Sequence, residues 1–549
     1  MKGEVRLIPL GGLGEFGMNM LLVETDEGIV VIDAGLMLPD PDMPGIDLII
    51  PDISYLVERS DKLAGIVLTH GHDDHIGGLP YMLRRVSAPI YGTKLTLTLL
   101  QDKLREFGIT EVEMEEVKPG DSIKLGGVEI EFIRVCHSIP DSVALAIHTP
   151  AGTIVHSGDF KLDQTPVDGQ VMDLHRFAEL GRDGVLLLLS DSTNSERPGY
   201  SPSERSIFPE LDAIFASSRG RIFASTFASS IFRIQQFVEL AAKHGRYIAI
   251  AGRSMVQNVR IARDLGYLWL PENLTVDLKG VMNLPPEKVM VMTTGSQGEP
   301  LSALSLMATD SYKLKIEEGD TVIISARIIP GHEKAIGRII NHLYRRGADV
   351  YYERIANVHA SGHAYQEELK LMLNLTRPKY FIPIHGEYRQ LVHHARIAEG
   401  IGIPSRNILI AQDGDVISLR EGECYLAGSI PADKVLIDGK AVDGVGDVVL
   451  RDRKRMARDG MVIPIVVLDG DGELVAGPDM VSKGFLPEGA EDGLMEEAKK
   501  LIIDLLEGMS REEKEEMNAV QEEIRTALRR FFSKKVDSRP MVIPVVMKV

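Results

Sequence analysis

The stretch GIVLTHGHDDHIGGLP, residues 65–80, begins as an apolar run and then places three histidines and two aspartates within six residues. His70 and His72, separated by one residue, can converge on one cation from a loop, and the adjacent Asp74 and His75 can serve a second cation beside it. The alternative is a polar loop that caps a helix. The density of ligand-type side chains and the glycines that follow favour a metal site.

The bulk composition is that of a globular chain with about three domains. Its 549 residues are too many for one hydrophobic core, and 44% hydrophobic with 26% charged residues exclude a disordered protein. The net charge of 61 minus 80, or −19, argues against a basic surface that coats nucleic acid or membrane, although cations or local arginines can still bind an anionic substrate. Two cysteines, no signal peptide and no apolar run of about 20 residues predict a soluble, cytoplasmic protein.

Other apolar runs also end in residues that can bind or orient a metal. VEIEFIRV ends just before Cys136 and His137, GTIVHSGD ends at Asp159, and GVLLLLSD ends at Asp191. A rigid sheet holds polar groups firmly at the ends of its buried strands. We therefore expect these side chains to belong to one reaction centre.

The order of the segments predicts one site-bearing domain with a second domain inserted into it. From about residue 207, runs such as RYIAIAG and DTVIISA alternate with helical segments such as SIFRIQQFVELAAKHG, which is typical of a parallel sheet. Ligand-type residues return after about residue 357 in NVHASGHA and YFIPIHGE. From about residue 448, a hairpin around DGDG, two amphipathic helices and a closing strand PMVIPVVMKV predict a small α+β domain.

The polar stretch resembles the metallo-β-lactamase fold family of hydrolases, and the resemblance extends to VCHSIPDS, HSGDFKLD and PIHGE. It implies an αββα sandwich and two divalent cations that activate water and neutralise the departing oxygen, with Zn²⁺ preferred over Mn²⁺ or Mg²⁺. Carried over to this chain, it implies that one cation is held by His70, His72 and His137, that the other is held by Asp74, His75 and His385, and that Asp159 bridges the two.

Further motifs are similar to those of the β-CASP nucleases and, among them, the ribonuclease J family of the bacterial type. SDSTNSERPGYSPSE with Asp191, TFASSIFRIQQ, GRSM, TTGSQGEPLSAL and HASGHA match successive β-CASP motifs, and VVLRDRKRMARDGM and RPMVIPVVMKV match the C-terminal region of ribonuclease J. The resemblance implies an α/β fold in which a β-CASP parallel-sheet domain interrupts the sandwich. The expected boundaries are 1–206 and 357–437 for the metallo-β-lactamase domain, 207–356 for the β-CASP domain, 438–447 for a linker and 448–549 for a C-terminal α+β domain.

The same resemblance implies a function in RNA processing and decay. It implies that the chain degrades single-stranded RNA 5′→3′ from a 5′-monophosphate end, cuts internally as well, and assembles as a homodimer or homotetramer through the C-terminal domain, with a degradation complex as a further partner. The chain departs from the family at Ser230 and Phe232, where Asn and His are usual, and in SARIIPGHEK, where a serine-rich stretch with Asn is usual. These departures leave open the balance between exonuclease and endonuclease activity.

Phosphodiester hydrolysis also needs groups outside the metal ligands. Asp74 can orient the nucleophile, His363 is the candidate general acid or phosphate ligand, and Asp191 is expected to support a metal-binding histidine. The alternative for His363 is a core histidine bonded to a carbonyl. The resemblance also implies a phosphate-binding segment of His359, Ala360, Ser361, Gly362 and His363, an RNA contact at Ser229 and Ser230, and a structural Ca²⁺ at Asp47 and Asp438.

Two other functions stay open. A β-CASP nuclease that prefers DNA remains an alternative, because recognition of the ribose 2′-hydroxyl cannot be read from the sequence. A non-catalytic RNA-binding subunit of a degradation complex is the other, and the intact set of ligand-type residues argues against it. The basic run RDRKRMAR at 451–458 either contacts RNA or forms salt bridges.

Three further patterns are interpreted as structural. Gly12, Gly14 and Gly17 form G-x-G-x-x-G, but MNMLLVET predicts a strand where a dinucleotide site requires a helix. Cys136 is expected to be a small buried hydrophobe, because adjacent strand residues point to opposite faces and His137 takes the site. His393 and His394 are expected on a helix, as packing or surface residues.

Overall fold

The structure, a computed structural model, describes residues 3–40, 42–329, 331–439, 445–486, 492–536 and 538–549. The chain divides into two compact units, Met1–Leu38 with Leu48–Val435, and Pro39–Asp47 with Leu436–Val549. Part of the linker predicted at 438–447 lies outside the described residues. Within the described ranges, no helix combines the length and the apolar character that a bilayer span requires.

Two sheets pack face to face in the first unit. One has the strand order Glu423–Ser429, Asp415–Arg420, Val5–Gly11, Met20–Glu24, Ile29–Ile32, Leu63–Val67, Ile90–Gly92 and Met114–Glu116. The other has the order Tyr380–Ile384, Val185–Asp191, Gly152–His156, Val143–Thr149, Val128–Arg134 and Ser122–Leu125. Side chains from both sheets, including Leu7, Val23, Phe132 and Leu145, are fully buried in one shared core. The burial of this apolar surface is the main force that holds the two sheets together.

Helices cover the outer faces of both sheets. The first sheet packs against Ser54–Val57, Asp73–Ile76, Leu79–Met82 and Lys94–Glu106, and the second packs against Leu174–Asp183, Gln366–Thr376 and Tyr388–Gly400. In the longest helix of the first set, Leu95, Leu99 and Leu100 recur at helical spacing and are buried together. The predicted αββα sandwich is confirmed.

The inserted segment forms the predicted parallel sheet. Its strand order is Tyr247–Ala251, Val289–Thr293, Ile222–Ser225, Thr321–Ile324 and Asp349–Tyr352, and every neighbouring pair is parallel. Parallel neighbours require crossover connections, which explains the intervening helices. These helices are Phe208–Ser217, Ile231–Lys243, Arg253–Asp264, Leu278–Val281, Ala303–Ala308 and Glu333–Arg345.

The second unit is a small α+β domain. Strand Met461–Leu468 pairs antiparallel with Leu474–Lys483, which confirms the hairpin around DGDG. The predicted closing strand is divided into Met541–Val542 and Val545–Lys548, because Pro544 has no N–H to donate to the sheet. The helices are Asp447–Asp459, Asp492–Gly508, Arg511–Glu515 and Met517–Val536. Two further strands of the described residues are Leu48–Pro51 and Lys434–Ile437.

A pair of very short strands, Leu13–Gly14 and Gly386–Glu387, ties the N-terminal glycine turn to the residue that follows His385. The backbone N–H of His385 also donates to the Gly12 carbonyl at 3.1 Å. Gly12 has a φ of +95°, and a Cβ there would lie 2.4 Å from Asn19 Oδ1, so this turn requires glycine. The G-x-G-x-x-G pattern is therefore a structural turn, and the strand Met20–Glu24 follows it as predicted.

Candidate metal centre

Strand ends bring the predicted metal ligands together. His70, His137 and Asp159 each lie three residues beyond a strand, after Leu63–Val67, Val128–Arg134 and Gly152–His156, and His385 directly follows Tyr380–Ile384. The four strands come from both sheets. Residues separated by more than 300 positions in the chain therefore converge at one edge of the sandwich.

Three histidines form the first donor group. His72 Nδ1 lies 3.0 Å from His70 Nε2 and 3.1 Å from His137 Nε2. Two nitrogens that share a tetrahedral zinc ion lie about 3.3 Å apart, given Zn–N bonds of about 2.05 Å. Burial lowers the pKa of His72 to about 4, and it also holds the pKa values of His70 and His137 well below the usual value. All three rings are therefore neutral at pH 7, which is the form that binds a cation.

Asp74, His75 and His385 form the second donor group. Asp74 Oδ2 lies 3.4 Å from His385 Nε2 and 3.7 Å from His75 Nε2. Burial alone would lower the pKa of His75, but the charges of Asp159, Asp74 and Asp33 raise it to about 10. The pKa of His385 is raised well above its usual value in the same way, chiefly by Asp159.

Asp159 lies between the two groups. Its Oδ2 is 3.7 Å from His70 Nε2 and 3.8 Å from His137 Nε2 on one side. On the other side, the same oxygen is 3.4 Å from His75 Nε2 and 3.5 Å from His385 Nε2. Only a carboxylate oxygen between both histidine sets can contact two neighbouring cations, so the geometry fits the predicted bridging role.

The charge of the centre fits a pair of divalent cations. Asp159 and Asp191 are buried and Asp74 is partly exposed. Neighbouring histidine charges hold the pKa of each carboxyl below its usual value although burial opposes this. Buried carboxylates need nearby positive charge. Protons on His75 and His385 supply that charge in the cation-free protein, and divalent cations would replace those protons and leave the imidazoles neutral.

Neutral groups orient the first three histidines. The Thr69 hydroxyl lies 3.1 Å from His70 Nδ1, and His137 Nδ1 donates to the Gly362 carbonyl at 2.7 Å. The Ser138 hydroxyl is 3.5 Å from His72 Nε2. These contacts fix the ring orientations without adding charge.

Carboxylates orient the histidines of the second group. His75 Nδ1 lies 2.8 Å from Asp33 Oδ2, and Asp33 also accepts from the backbone and hydroxyl of Thr69. His385 Nδ1 lies 2.8 Å from the Thr193 hydroxyl and 3.5 Å from Asp191 Oδ1. Asp33 was missed in the sequence, although it follows the apolar run GIVVI in the same way as the other strand-end ligands.

His363 and Asp191 form a pair beside the donor groups. His363 Nδ1 lies 2.8 Å from Asp191 Oδ2, so the ring is oriented with Nε2 directed away from that carboxylate. Burial would lower the pKa of His363, but the charge of Asp191 and this hydrogen bond raise it. Asp191 also contacts His385, so one carboxylate orients both histidines.

The segment 358–363 has its carbonyl oxygens turned into the protein. Arg233 donates to the Val358 and Ala360 carbonyls at 3.1 and 3.3 Å, and Lys161 donates to the Ser361 carbonyl at 3.1 Å. Asn194 Nδ2 donates to the Ser361 hydroxyl at 2.8 Å and to the His363 carbonyl at 3.2 Å. Among the described residues, the backbone N–H groups of 359–362 have no acceptor. Backbone amides without an internal acceptor can bind an anion, and we call residues 359–362 the anion cradle.

Three cationic side chains act on His359. Burial first, and then the charges of Arg233, Lys161 and Arg197, hold the pKa of His359 well below its usual value. Arg233 and Lys161 are themselves paired with Glu204 at 2.9 Å and Asp163 at 3.5 Å. A Cβ at Gly362 would lie 2.9 Å from His137 Cε1, so glycine allows the segment to approach the donor groups closely.

Four protein families match consecutive parts of this chain. Residues 13–184 match the metallo-β-lactamase superfamily, and residues 219–343 match the ribonuclease J β-CASP domain. Residues 347–407 match the RNA specificity domain of Zn-dependent metallo-hydrolases, and residues 448–549 match the ribonuclease J C-terminal domain.

Relatives match over nearly the whole length. The chain is 43% identical to ribonuclease J2 of Bacillus subtilis, over 100% of this chain and 99% of the relative. It is also 43% identical to ribonuclease J of Thermus thermophilus, over 100% and 96% of the two chains, and 40% identical to ribonuclease J of Helicobacter pylori, over 99% and 79%. The chain belongs to the ribonuclease J family. A solved structure of a protein of unknown function from Enterococcus faecalis, 17% identical with a TM-score of 0.55, covers 76% of this chain and 100% of its own, and it supports the fold alone.

Some predicted site residues of this ribonuclease J family member lie outside the cation groups. Ser229 and Ser230 precede the helix Ile231–Lys243, which carries Arg233 to the segment 358–363. Their contact with RNA stays a prediction.

An arginine lies among the side chains of the predicted Ca²⁺ site. Asp438 is paired with the Arg453 guanidinium at 2.6 Å, and Arg453 also donates to the Gly45 carbonyl at 2.9 Å. Asp47 accepts from the Gly439 N–H at 2.7 Å. A guanidinium therefore already contacts Asp438, and Ca²⁺ at Asp47 and Asp438 stays a prediction.

The residues that the sequence analysis assigned to packing are found there. Cys136 is buried in the core of the second sheet, and burial raises its pKa to about 11. His394 is fully buried on the helix Tyr388–Gly400 and lies 3.0 Å from the Ser192 hydroxyl, while His393 is partly exposed.

Proposed function

We propose that this chain hydrolyses single-stranded RNA as a 5′→3′ exonuclease that prefers 5′-monophosphate ends, with endonuclease activity as a second mode. Three features that lie close together support the proposal. They are the two donor groups with Asp159 between them, the His363–Asp191 pair, and the backbone amides of residues 359–362. Together they supply the groups that phosphodiester hydrolysis requires.

Seven residues would hold two cations: His70, His72 and His137 in one group, Asp74, His75 and His385 in the other, with Asp159 between them. When bound, the cations polarise a phosphate oxygen and acidify a water molecule. The nitrogen-rich donor set favours Zn²⁺, because Mg²⁺ prefers oxygen ligands, and Mn²⁺ is the runner-up.

The protein's own side chains orient and protonate the reacting groups. Asp74 retains a partly exposed carboxylate that accepts a hydrogen bond from the attacking water. His363, whose pKa is raised by the charge of Asp191 against the effect of burial, would donate a proton from Nε2 to the leaving oxygen. The 2.8 Å bond between His363 Nδ1 and Asp191 keeps the ring in place for this transfer.

The anion cradle supports cleavage close to a chain end. Gly362, the last residue of the cradle, accepts from the donor-group residue His137, and His363 follows immediately. A 5′-phosphate held by the amides of 359–362 lies near the reacting bond, so the expected products are mononucleotides. Amides that donate to an anion favour the dianionic monophosphate over a neutral 5′-hydroxyl.

We further propose a homodimer or homotetramer assembled through the C-terminal domain, a cytoplasmic location and participation in an RNA-degradation complex. These proposals follow from family membership and from the match of residues 448–549 to the family's C-terminal domain.

Matched RNAs that carry a 5′-monophosphate, 5′-triphosphate or 5′-hydroxyl, with a DNA of the same sequence, test the proposal. Each is incubated with protein loaded with Zn²⁺, Mn²⁺ or Mg²⁺, and the products are sized. Mononucleotides from the monophosphorylated RNA alone are the expected result. Equal rates on all 5′ ends with long products contradict the exonuclease preference, and faster cleavage of DNA contradicts the choice of substrate.

A further inference from the structure

The basic residues of the run 451–458, on the helix Asp447–Asp459, do not all form ion pairs. Arg453 and Lys454 form ion pairs with Asp438 at 2.6 Å and Asp42 at 2.7 Å. Arg455 forms no ion pair with a described residue, and its Nε donates to the Arg539 carbonyl at 3.1 Å. Arg458 is also paired, with Asp459 at 3.9 Å. Salt bridges with described residues therefore explain three of the five basic residues of the run, and Arg455 is not among them.

Two arginines of the helix Met517–Val536 lie on one face. Arg525 and Arg529 are one helical turn apart. Arg525 is paired with Glu522, whereas Arg529 Nε is buried without a hydrogen-bond partner among the described residues. The charges of both Arg455 and Arg525 act on Arg529. The second unit thus holds three guanidiniums, one of them paired with a carboxylate.

The charges of these arginines are not balanced within the described part of the unit. Burial first, and then repulsion from Arg455 and Arg525, lower the pKa of Arg529, which Glu522 only partly opposes. Like charges held this close destabilise the fold. A protein of net charge −19 has carboxylates available to neutralise them, and an unneutralised cluster instead fits an external anion.

We propose that Arg455, Arg525 and Arg529 bind the phosphodiester backbone of RNA, as a second RNA-binding site carried by the C-terminal unit. The inference rests on the proposed function in naming RNA as the polyanion. Guanidinium groups bind phosphate oxygens in a bidentate manner, and several adjacent guanidiniums match successive phosphates of one strand. An acidic protein segment is the competing occupant, and its carboxylates are spaced less regularly than backbone phosphates.

Binding of short and long RNA by the full-length, metal-loaded protein tests the site. His363→Gln serves as the background that slows cleavage, and fluorescence anisotropy measures the affinity for RNAs of about 5 and about 30 nucleotides. Arg455→Gln/Arg529→Gln is expected to weaken binding of the long RNA by about fivefold to tenfold and to reduce the slope of log affinity against log salt by about 1.4. The short RNA serves as the measure of binding at the catalytic site, and its affinity is expected to stay unchanged.

Arg511→Gln/Lys499→Gln is the matched control, because it removes the same charge from paired residues of the same unit. An equal loss in this control, or an unchanged affinity of the test variant for long RNA, overturns the proposal. Displacement of long RNA by polyglutamate or inorganic phosphate as effectively as by unlabelled RNA overturns the assignment of the ligand. A variant that carries Arg455→Gln and Arg529→Gln but keeps His363 is also assayed for cleavage of the short RNA. This assay tests the proposed function independently of the second RNA-binding site.

The thermal midpoint of unfolding shows whether the test variant is folded. Removal of like charges is expected to leave the midpoint unchanged or to raise it. If the double variant does not fold, Arg455→Gln alone is measured, and the same loss in the affinity for long RNA, about half as large on a logarithmic scale, is required.

Discussion

The two donor groups of the metal centre use the same side chains in opposite electrostatic settings. His70, His72 and His137 are oriented by hydroxyl and carbonyl groups, and burial lowers their pKa values. His75 and His385 are oriented in part by Asp33 and Asp191, and carboxylates raise their pKa values. The first group is ready to accept a cation, whereas the second must release protons. Two adjacent cations should therefore bind with different dependence on pH.

Removal of the shared oxygen should have the largest effect. Asp159→Asn keeps the size of the side chain but weakens both groups at once, so kcat should fall by at least about 10³-fold, and the metal content should drop below two ions per chain. Steady-state kinetics with elemental analysis measures both. Asp173→Asn is the control, because asparagine also caps the helix Leu174–Asp183. Full metal content in Asp159→Asn would contradict the bridging role.

The next largest effect is expected at His363, which lies beside both groups but belongs to neither in our assignment. His363→Gln should lower kcat by about 10²- to 10⁴-fold while two metal ions remain bound. His148→Gln, a partly exposed histidine of the second sheet, should leave kcat unchanged. Loss of a metal ion from His363→Gln would instead show that His363 is a ligand.

Substitution of residues that orient the histidines should affect the cation affinities of the two donor groups differently. Asp33→Asn should weaken the cation at the second group by about 10- to 100-fold, because it removes the carboxylate that orients His75. Ser138→Ala, behind His72 at 3.5 Å, should change the affinity of the first group much less. Metal titrations of both variants make the comparison, and equal losses would remove the distinction between the groups.

The smallest effect is a difference in pH dependence. Because the raised pKa of His75, about 10, keeps this ring protonated at pH 7 in the cation-free protein, cation binding at the second group should release protons. Its affinity should therefore rise with pH, by about tenfold per unit for each proton released, while the affinity of the first group stays nearly constant above pH 6. Calorimetry in buffers of different ionisation enthalpy counts the protons. Equal proton release at both groups would contradict the asymmetry.

The inserted parallel sheet and the hairpin could be predicted from apolar runs, helical segments and turn residues in the sequence, whereas the family resemblance implied the sandwich. Imidazole and carboxylate groups at strand ends indicated a candidate site, and the family resemblance supplied the assignment of the ligands, including the distant His385. The partners behind the ligands could not be predicted in this way. No motif in the sequence distinguishes Thr69, Thr193 or Arg233. Only the folded chain shows that they contact His70, His385 and the segment 358–363, respectively.

The Ca²⁺ prediction at Asp47 and Asp438 shows the same limit. The structure brings the guanidinium of Arg453, from a helix that begins at Asp447, to Asp438, and the sequence analysis did not foresee this contact. Charge complementarity between distant segments is satisfied by whichever positive group the fold brings near, and the local sequence does not specify which one.

The strand pair Leu13–Gly14 and Gly386–Glu387 has a consequence for the newborn polypeptide. Ribosomes deliver the N-terminal segment first, so His70, His72 and His137 emerge long before His385 can take its place beside Asp159. The centre remains incomplete during this interval. With the ligand set proposed here, we expect a nascent chain to gain hydrolytic activity only after the segment with His385 has left the ribosome.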